Sequence, residues 1–425
     1  VFRKLMKQAS VLLGGNLSAS VLNFLSVAVA LKALGVESFG AVTLLQSYIL
    51  VISLCFNPQA WQGLIRYLHL EKDKASLIKL TLYYDFLCAV LGTLLAVCLT
   101  DLYLSFFDLS EYSHLLKYSS LYILVNQTSV AIGVLRYHER YTVLALQSVI
   151  SAVIFFVCAL VGYWQSYSIE FYVISYLLSL TIGVIYIQLC SIQPIKQLLG
   201  TQCSKKMSNT DKGTFNKFNY TVHLTALADI PVKQLDNILV GAVVSVGAAG
   251  AYRVIKQIAT ISTKVTGPLN QVLYPEVSNL LAEKAYSKVR YAMSKLILFL
   301  LVPSLVVVLF ATMTADYWIL AMFSQELVEY KWHIGAFLIM HAVATAFTPI
   351  HPVFLALGYV KKLFYITLIS NLVLCLAIVI LGPYIELWGV LLAIFLQYFL
   401  TIAWKFPLIL KRLTEQANES LTLHT

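Results

Sequence analysis

Two stretches of an otherwise apolar sequence carry ionisable residues at helical spacing. Asp229, Lys233 and Asp236 lie 4 and 3 residues apart, which places all three on one face of a helix. Arg253, Lys256 and Lys264, at offsets of 3 and 11 residues, share one stripe with Thr260. His223 precedes the first group by one to two turns. Pro231 sits inside it, where a missing backbone donor can kink a helix and expose a carbonyl, and Pro268 offers the same in the second stretch. Placed in hydrocarbon, each cation costs about 3 kcal/mol on insertion scales, so such a stripe must face a wet cavity or paired anions. Cations outnumber carboxylates here, and a net positive cavity prefers a phosphate or diphosphate held by charge-assisted hydrogen bonds. It disfavours cationic drugs. Asp229 or Asp236 can in addition exchange a proton or a sodium ion. The competing reading is a structural network in which the two aspartates neutralise Lys233 and one cation of the second stretch.

The elements that must position these groups are membrane spans. Of 425 residues, 60% are hydrophobic and 12% charged, against about a quarter charged in a typical soluble domain. Apolar runs long enough to cross a bilayer recur from end to end. Spans are expected near 10–33, 41–64, 80–100, 114–135, 142–163 and 170–191, and again near 219–243, 250–274, 292–314, 333–355, 363–384 and 386–408. The expected fold is an all-α polytopic membrane protein with about twelve transmembrane helices in two six-helix bundles around a central cavity. The bundles would occupy 1–192 and 219–425. Between them, 193–218 reads as a basic linker with no apolar residues at core spacing, and the division into halves is the mark of a transporter built from repeats. Gly40 and Gly250, opening spans 2 and 8, are a weak echo of such a repeat. A cleaved signal peptide is not expected, because the apolar run after Arg3 and Lys4 continues to a full span.

Of the 30 Lys and Arg residues, all but seven fall at one set of alternating span ends, and the opposite ends carry acidic residues such as Glu37, Asp101, Glu326 and Glu386. By the positive-inside rule both termini are expected on the cytoplasmic side of the membrane. The exceptions are Lys32, Lys117, Lys233, Arg253, Lys256, Lys264 and Lys331. Lys32, Lys117 and Lys331 are at outer ends where long side chains snorkel to water. The net charge of +10 is scattered over short loops, which excludes a nucleic-acid face. Seven cysteines show no metal spacing, and no nucleotide-binding or hydrolase motif is present, so neither metal nor cofactor is expected and the chain reads as a transporter rather than an enzyme.

Secondary candidates are Arg66 at the inner end of span 2, Asp85 in span 3 and Asn16 in span 1. Asn57, Gln59, Asn126, Gln127 and Asn371 are expected to form interhelical hydrogen bonds. Gly14, Gly15, Ser18 and Ala19 supply small residues for close packing of span 1. His341, His351, Pro349 and Pro352 carry no assignment.

Three passages bear a family resemblance: Ala33-Leu34-Gly35-Val36-Glu37-Ser38-Phe39-Gly40, then Lys233-Gln234-Leu235-Asp236-Asn237-Ile238-Leu239-Val240-Gly241. The third is Gly250-Ala251-Tyr252-Arg253-Val254-Ile255-Lys256-Gln257-Ile258, followed by Pro268-Leu269-Asn270-Gln271-Val272-Leu273-Tyr274-Pro275-Glu276. Over essentially its whole length the chain resembles the polysaccharide transporter branch, O-antigen flippase type, of the multidrug/oligosaccharidyl-lipid/polysaccharide exporter superfamily. The resemblance implies a V-shaped cavity lined by spans 1, 2, 7 and 8. It also implies alternating-access movement of a polyprenyl-diphosphate-linked oligosaccharide, with proton or sodium coupling suspected. Membrane lipids and polysaccharide assembly proteins would be its partners. A multidrug/cation antiporter on the same fold and a membrane-embedded polysaccharide polymerase are the alternatives. The first would want acidic and aromatic cavity residues, and the second a large outer loop.

Overall fold

Each apolar run forms helix, and several spans are interrupted where polar side chains take over the backbone hydrogen bonding. The computed structural model describes the backbone of residues 2–70, 73–200 and 208–422; the side chains at 2–9, 209–210, 261–272, 274–275, 360 and 417–422 lie outside the described set. Among the described residues every regular element is helical. Phe2–Cys55 contains spans 1 and 2, separated at Gly35, whose φ of 77° is accessible to glycine at little cost. Span 2 resumes at Trp61–Leu70. Lys74–Ser105, Tyr141–Gln165 and Ile169–Leu199 are spans 3, 5 and 6, and span 4 is assembled from Ser113–Ser119, Leu121–Val125 and Ser129–Tyr137. Span 7 runs through Asn209–Ala228, a π-helical turn at Pro231–Leu235 and Asp236–Val243. Val246–Ala282 and Tyr286–Met313 are spans 8 and 9. Lys331–Ala346 with Ile350–Ala356 is span 10, and Val360–Thr422 holds spans 11 and 12 around a turn at Ile385 and Glu386. Helix enters the stretch between the halves from both sides, up to Leu199 and from Asn209.

The interruptions of spans 2 and 4 explain several uncharged polar residues inside the spans, Asn57, Gln59, Asn126 and Gln188 among them. In a bilayer a freed carbonyl or amide must find a protein partner. Where span 2 breaks, the Gln59 amide donates to Asn57 Oδ1 at 3.1 Å and the Trp61 indole donates to Gln59 Oε1 at 3.0 Å. Where span 4 breaks, Gln188 of span 6 donates to the carbonyls of Val125 at 3.0 Å and Gln127 at 3.3 Å, while Asn126 donates to Ser53 Oγ at 2.8 Å. Span 10 is broken between Ala346 and Ile350, the place in the second half that corresponds to the break of span 4 in the first. This echo is stronger than any the sequence offers.

The two halves join at the end that carries Gly35. Buried apolar side chains there, among them Leu31, Leu44, Ile49, Val254, Phe323 and Val390, form one continuous cluster drawn from both halves. At its heart the helices of spans 2 and 8 meet backbone to backbone. A Cβ on Gly40 would lie 2.0 Å from the Val246 carbonyl oxygen, and one on Gly250 would lie 2.5 Å from that of Val36. The paired glycines of the repeat therefore pack on each other. The Val36 amide also donates to Glu326 Oε2 at 2.7 Å, tying the turn between spans 1 and 2 to the loop before span 10. At the opposite, basic end the cores are separate, one around Leu64, Leu77 and Val134 and another around Met293, Val353 and Leu413. Span 7 bridges there: its Phe215 is fully buried in the first of these cores.

Gly250→Val cannot be accommodated at the joined end without parting the helices. Ser47 is fully buried beside that seam. The expected result is that Ser47→Cys, protected from a membrane-impermeant maleimide in the parent chain, becomes labelled when Gly250→Val is added.

Candidate functional site

Span 7 supplies the first part of the site through its irregularity. Pro231 cannot donate to the preceding turn, and the helix widens to a π turn over Pro231–Leu235, leaving carbonyls without helical partners. Lys256, reaching across from span 8, donates to the Val232 carbonyl at 2.9 Å and forms an ion pair with Asp236 Oδ2 at 2.6 Å. Asp236 is 1% exposed. Tyr252 donates to the same oxygen at 2.7 Å and the Asn237 amide to Oδ1 at 2.9 Å. A carboxylate stripped of water is thus compensated by one cation and two further donors. On the far side of the bulge, Asn371 of span 11 donates to the Ala228 carbonyl at 2.6 Å.

Arg253 points elsewhere. It is half-buried in a cavity of about 340 Å³ between spans 1, 5, 6 and 8. Asn23 and Ser20 of span 1, Gln147 and Ser148 of span 5 and Gln257 of span 8 share the lining. Among the described residues its guanidinium makes no salt bridge and no hydrogen bond, so a charge with five donors faces a chamber of neutral amides and hydroxyls. The single stripe expected from spacing is accordingly divided. Lys256 turns to Asp236 of span 7, while Arg253, Gln257 and Thr260 line the cavity of the first half.

The remaining candidates separate by what they touch. Lys233 lies 3.6 Å from Asp229, both about half exposed, a loose pair in an open region. The pairing of the two aspartates with Lys233 and one span 8 cation is therefore the arrangement seen, with Arg253 outside it. His223 Nδ1 is 3.2 Å from the Asn57 carbonyl, and the Arg66 guanidinium lies 5.1 Å over the Phe218 ring. Both belong to the seam between spans 2 and 7. Asp85 is buried and accepts the Ser129 amide at 3.1 Å, so it caps the third segment of span 4 rather than facing a cavity. Asn16 is exposed, and its carbonyl accepts from Ser20 at 2.8 Å. Gly15 packs on Ala145 of span 5, whereas nothing approaches Gly14. The Lys264 and Pro268 side chains lie outside the described residues.

Asn23, Gln147 and Gln257 were not singled out from the sequence, although a signal was present. Ser20 and Asn23, Gln147 and Ser151, and Arg253, Gln257 and Thr260 each recur at intervals of three or four within apolar runs. Counting charges alone passes over such uncharged polar stripes.

A family model described as polysaccharide biosynthesis protein matches residues 5–281. Among solved structures, an inward-facing multidrug resistance transporter of the multidrug and toxin extrusion family aligns at a TM-score of 0.74 with 15% identity, over 94% of this chain and 96% of that one. The lipid II flippase MurJ in an inward closed conformation aligns at 0.65 with 13% identity, over 95% and 89%. A Pyrococcus furiosus transporter described as a member of the MOP superfamily with a binding pocket of reverse polarity aligns at 0.60 with 17% identity, over 96% and 95%. No curated protein matches the sequence significantly. These similarities establish the fold as the twelve-helix transporter type.

Proposed function

Because this chain belongs to the polysaccharide biosynthesis protein family, on a fold shared with membrane transporters, we propose that it is a flippase for a polyprenyl-diphosphate-linked oligosaccharide. The cargo would be an O-antigen or similar surface-polysaccharide repeat unit, moved across the inner membrane by alternating access as a step of lipopolysaccharide-type biosynthesis. The observation that carries this reading is Arg253, a cation with no carboxylate against it among the described residues, set in a chamber of amides and hydroxyls. Guanidinium suits a diphosphate, which it binds bidentately. Neutral amides and hydroxyls suit sugar hydroxyl groups. Lys233 and Lys264 extend the cationic character along spans 7 and 8, and Lys256 holds the π turn of span 7 in place. If a cation is exchanged during the cycle, Asp229, half exposed beside Lys233, is the group placed to do it. Asp236 is already fully engaged.

In this reading the basic end faces the cytoplasm, both termini with it, and the joined end faces outward. The parted cores at the basic end then give access to substrate made inside. Membrane lipids surround the chain, and polysaccharide assembly proteins receive the cargo. A cation-exporting role would place an uncompensated carboxylate, not an arginine, in the chamber.

Reconstitution into proteoliposomes with a fluorescent short-chain polyprenyl-diphosphate oligosaccharide tests the proposal. Protein-dependent exposure of the label to an external quencher is the expected result. Export of a cationic dye without movement of the lipid would reverse it in favour of the antiporter.

A further inference from the structure

The last span holds a charge that the site above does not use. Lys405 lies in Val360–Thr422 and is 7% exposed. Among the described residues it has neither an ion-pair nor a hydrogen-bond partner, although a buried ammonium without an acceptor is strongly disfavoured. It closes one side of a chamber of about 230 Å³ in the second half, between spans 10 and 12, together with Thr348, His351, Gln397, Tyr398 and Thr401. No carboxylate among the described residues lines this chamber. His351 also lines a second cavity, of about 520 Å³, that contains Asp229 and Lys361, so it stands at the junction between the two.

We propose that this chamber is a second anion site, separate from Arg253, that takes a single phosphate group bearing a hydroxyl. Lys405 offers three unused donors and the charge. The hydroxyl hydrogens of Thr348 and Thr401 are committed to the carbonyls of Thr345, at 2.6 Å, and Gln397, at 2.8 Å. What those two residues present to the chamber is lone pairs. Any anion is drawn to Lys405, but at the threonines a halide or a sulfate finds only lone pairs, whereas a phosphate can place its ionised oxygens on Lys405 and donate its P–OH to a threonine. A full oligosaccharide exceeds the space, so the occupant is the phosphate itself, free in solution or at the head of a lipid monophosphate.

The inference does not depend on the cargo of the Arg253 cavity. Its test is the thermal unfolding midpoint of the full chain in detergent, titrated near pH 7 with inorganic phosphate at constant ionic strength, and with sulfate and chloride as controls. A saturable rise specific to phosphate is expected. It should require about tenfold more phosphate in Lys405→Met and persist in Lys405→Arg and in Arg253→Ala. A response unchanged by Lys405→Met, or matched by sulfate, overturns the site. If Lys405→Met does not fold, His351→Phe decides: a weakened phosphate response supports the site and an unaltered one refutes it. A short-chain prenyl monophosphate is the second arm. A Lys405-dependent response to it assigns the site to a lipid head, and its absence beside a response to inorganic phosphate assigns it to the free ion.

Discussion

Arg253→Ala is expected to abolish surface-polysaccharide export by cells depending on this chain, while the protein still inserts at wild-type level and unfolds at an unchanged temperature. The separation of the two readouts follows from its surroundings. The guanidinium has no partner to lose among the described residues, so truncation leaves no orphaned group. What is removed is charge-assisted binding to the substrate, worth about 1.5–3 kcal/mol for one such bond and more for a bidentate contact. That corresponds to a loss of roughly tenfold to more than a hundredfold in affinity. Arg253→Lys should restore part of it, because lysine keeps the charge and forfeits the fork. Measured binding of the lipid diphosphate that is equal in wild type and Arg253→Ala would end the proposal.

Asp236→Ala has the opposite signature. It leaves the Lys256 ammonium, 22% exposed, and the Tyr252 hydroxyl without their acceptor. Breaking a buried pair in this one-sided way costs about 3–5 kcal/mol, so the expected outcome is a large drop in unfolding midpoint and in the amount of inserted protein. Removing both charges together, in Asp236→Leu with Lys256→Met, should recover much of the loss because no unpaired ion remains. Activity need not return with stability. Lys256 also donates to the Val232 carbonyl at 2.9 Å, and without it the π turn loses a partner that the sequence of span 7 does not otherwise supply. A double variant as unstable as the single one would show that the pair is not the source of the effect.

The spans were legible because the bilayer imposes a length and a composition on every element that crosses it. The turn at Gly35 and the bulge at Pro231 likewise follow from residue type, whereas the turn at Glu386 does not. The direction each charge takes does not. Arg253 and Lys256 are three residues apart, near enough for one helical stripe, yet each follows a different neighbour, because the partner on span 7 sits on only one side of span 8. Asp85 reads like an intramembrane carboxylate with a role in transport until the break in span 4 supplies an amide for it to cap. By sequence Lys405 is one more lysine near the end of the chain's last apolar run, where a topology signal is expected. Only the packing of span 10 against span 12 shows it to be enclosed. What the sequence withholds is thus mostly rotational: how far each helix is turned about its own axis against a neighbour many residues away.

The crossing of spans 2 and 8 at Gly40 and Gly250 bears on how the molecule would open. Interlocked leucines must change rotamer and unthread before two helices can part, and each adds to the barrier. Bare main chain touching bare main chain has nothing to unthread. What must be undone at this end lies around the crossing, in the packed side chains shared by the two halves and in the Val36–Glu326 hydrogen bond, while the crossing itself can part and reseal without a matching arrangement of teeth.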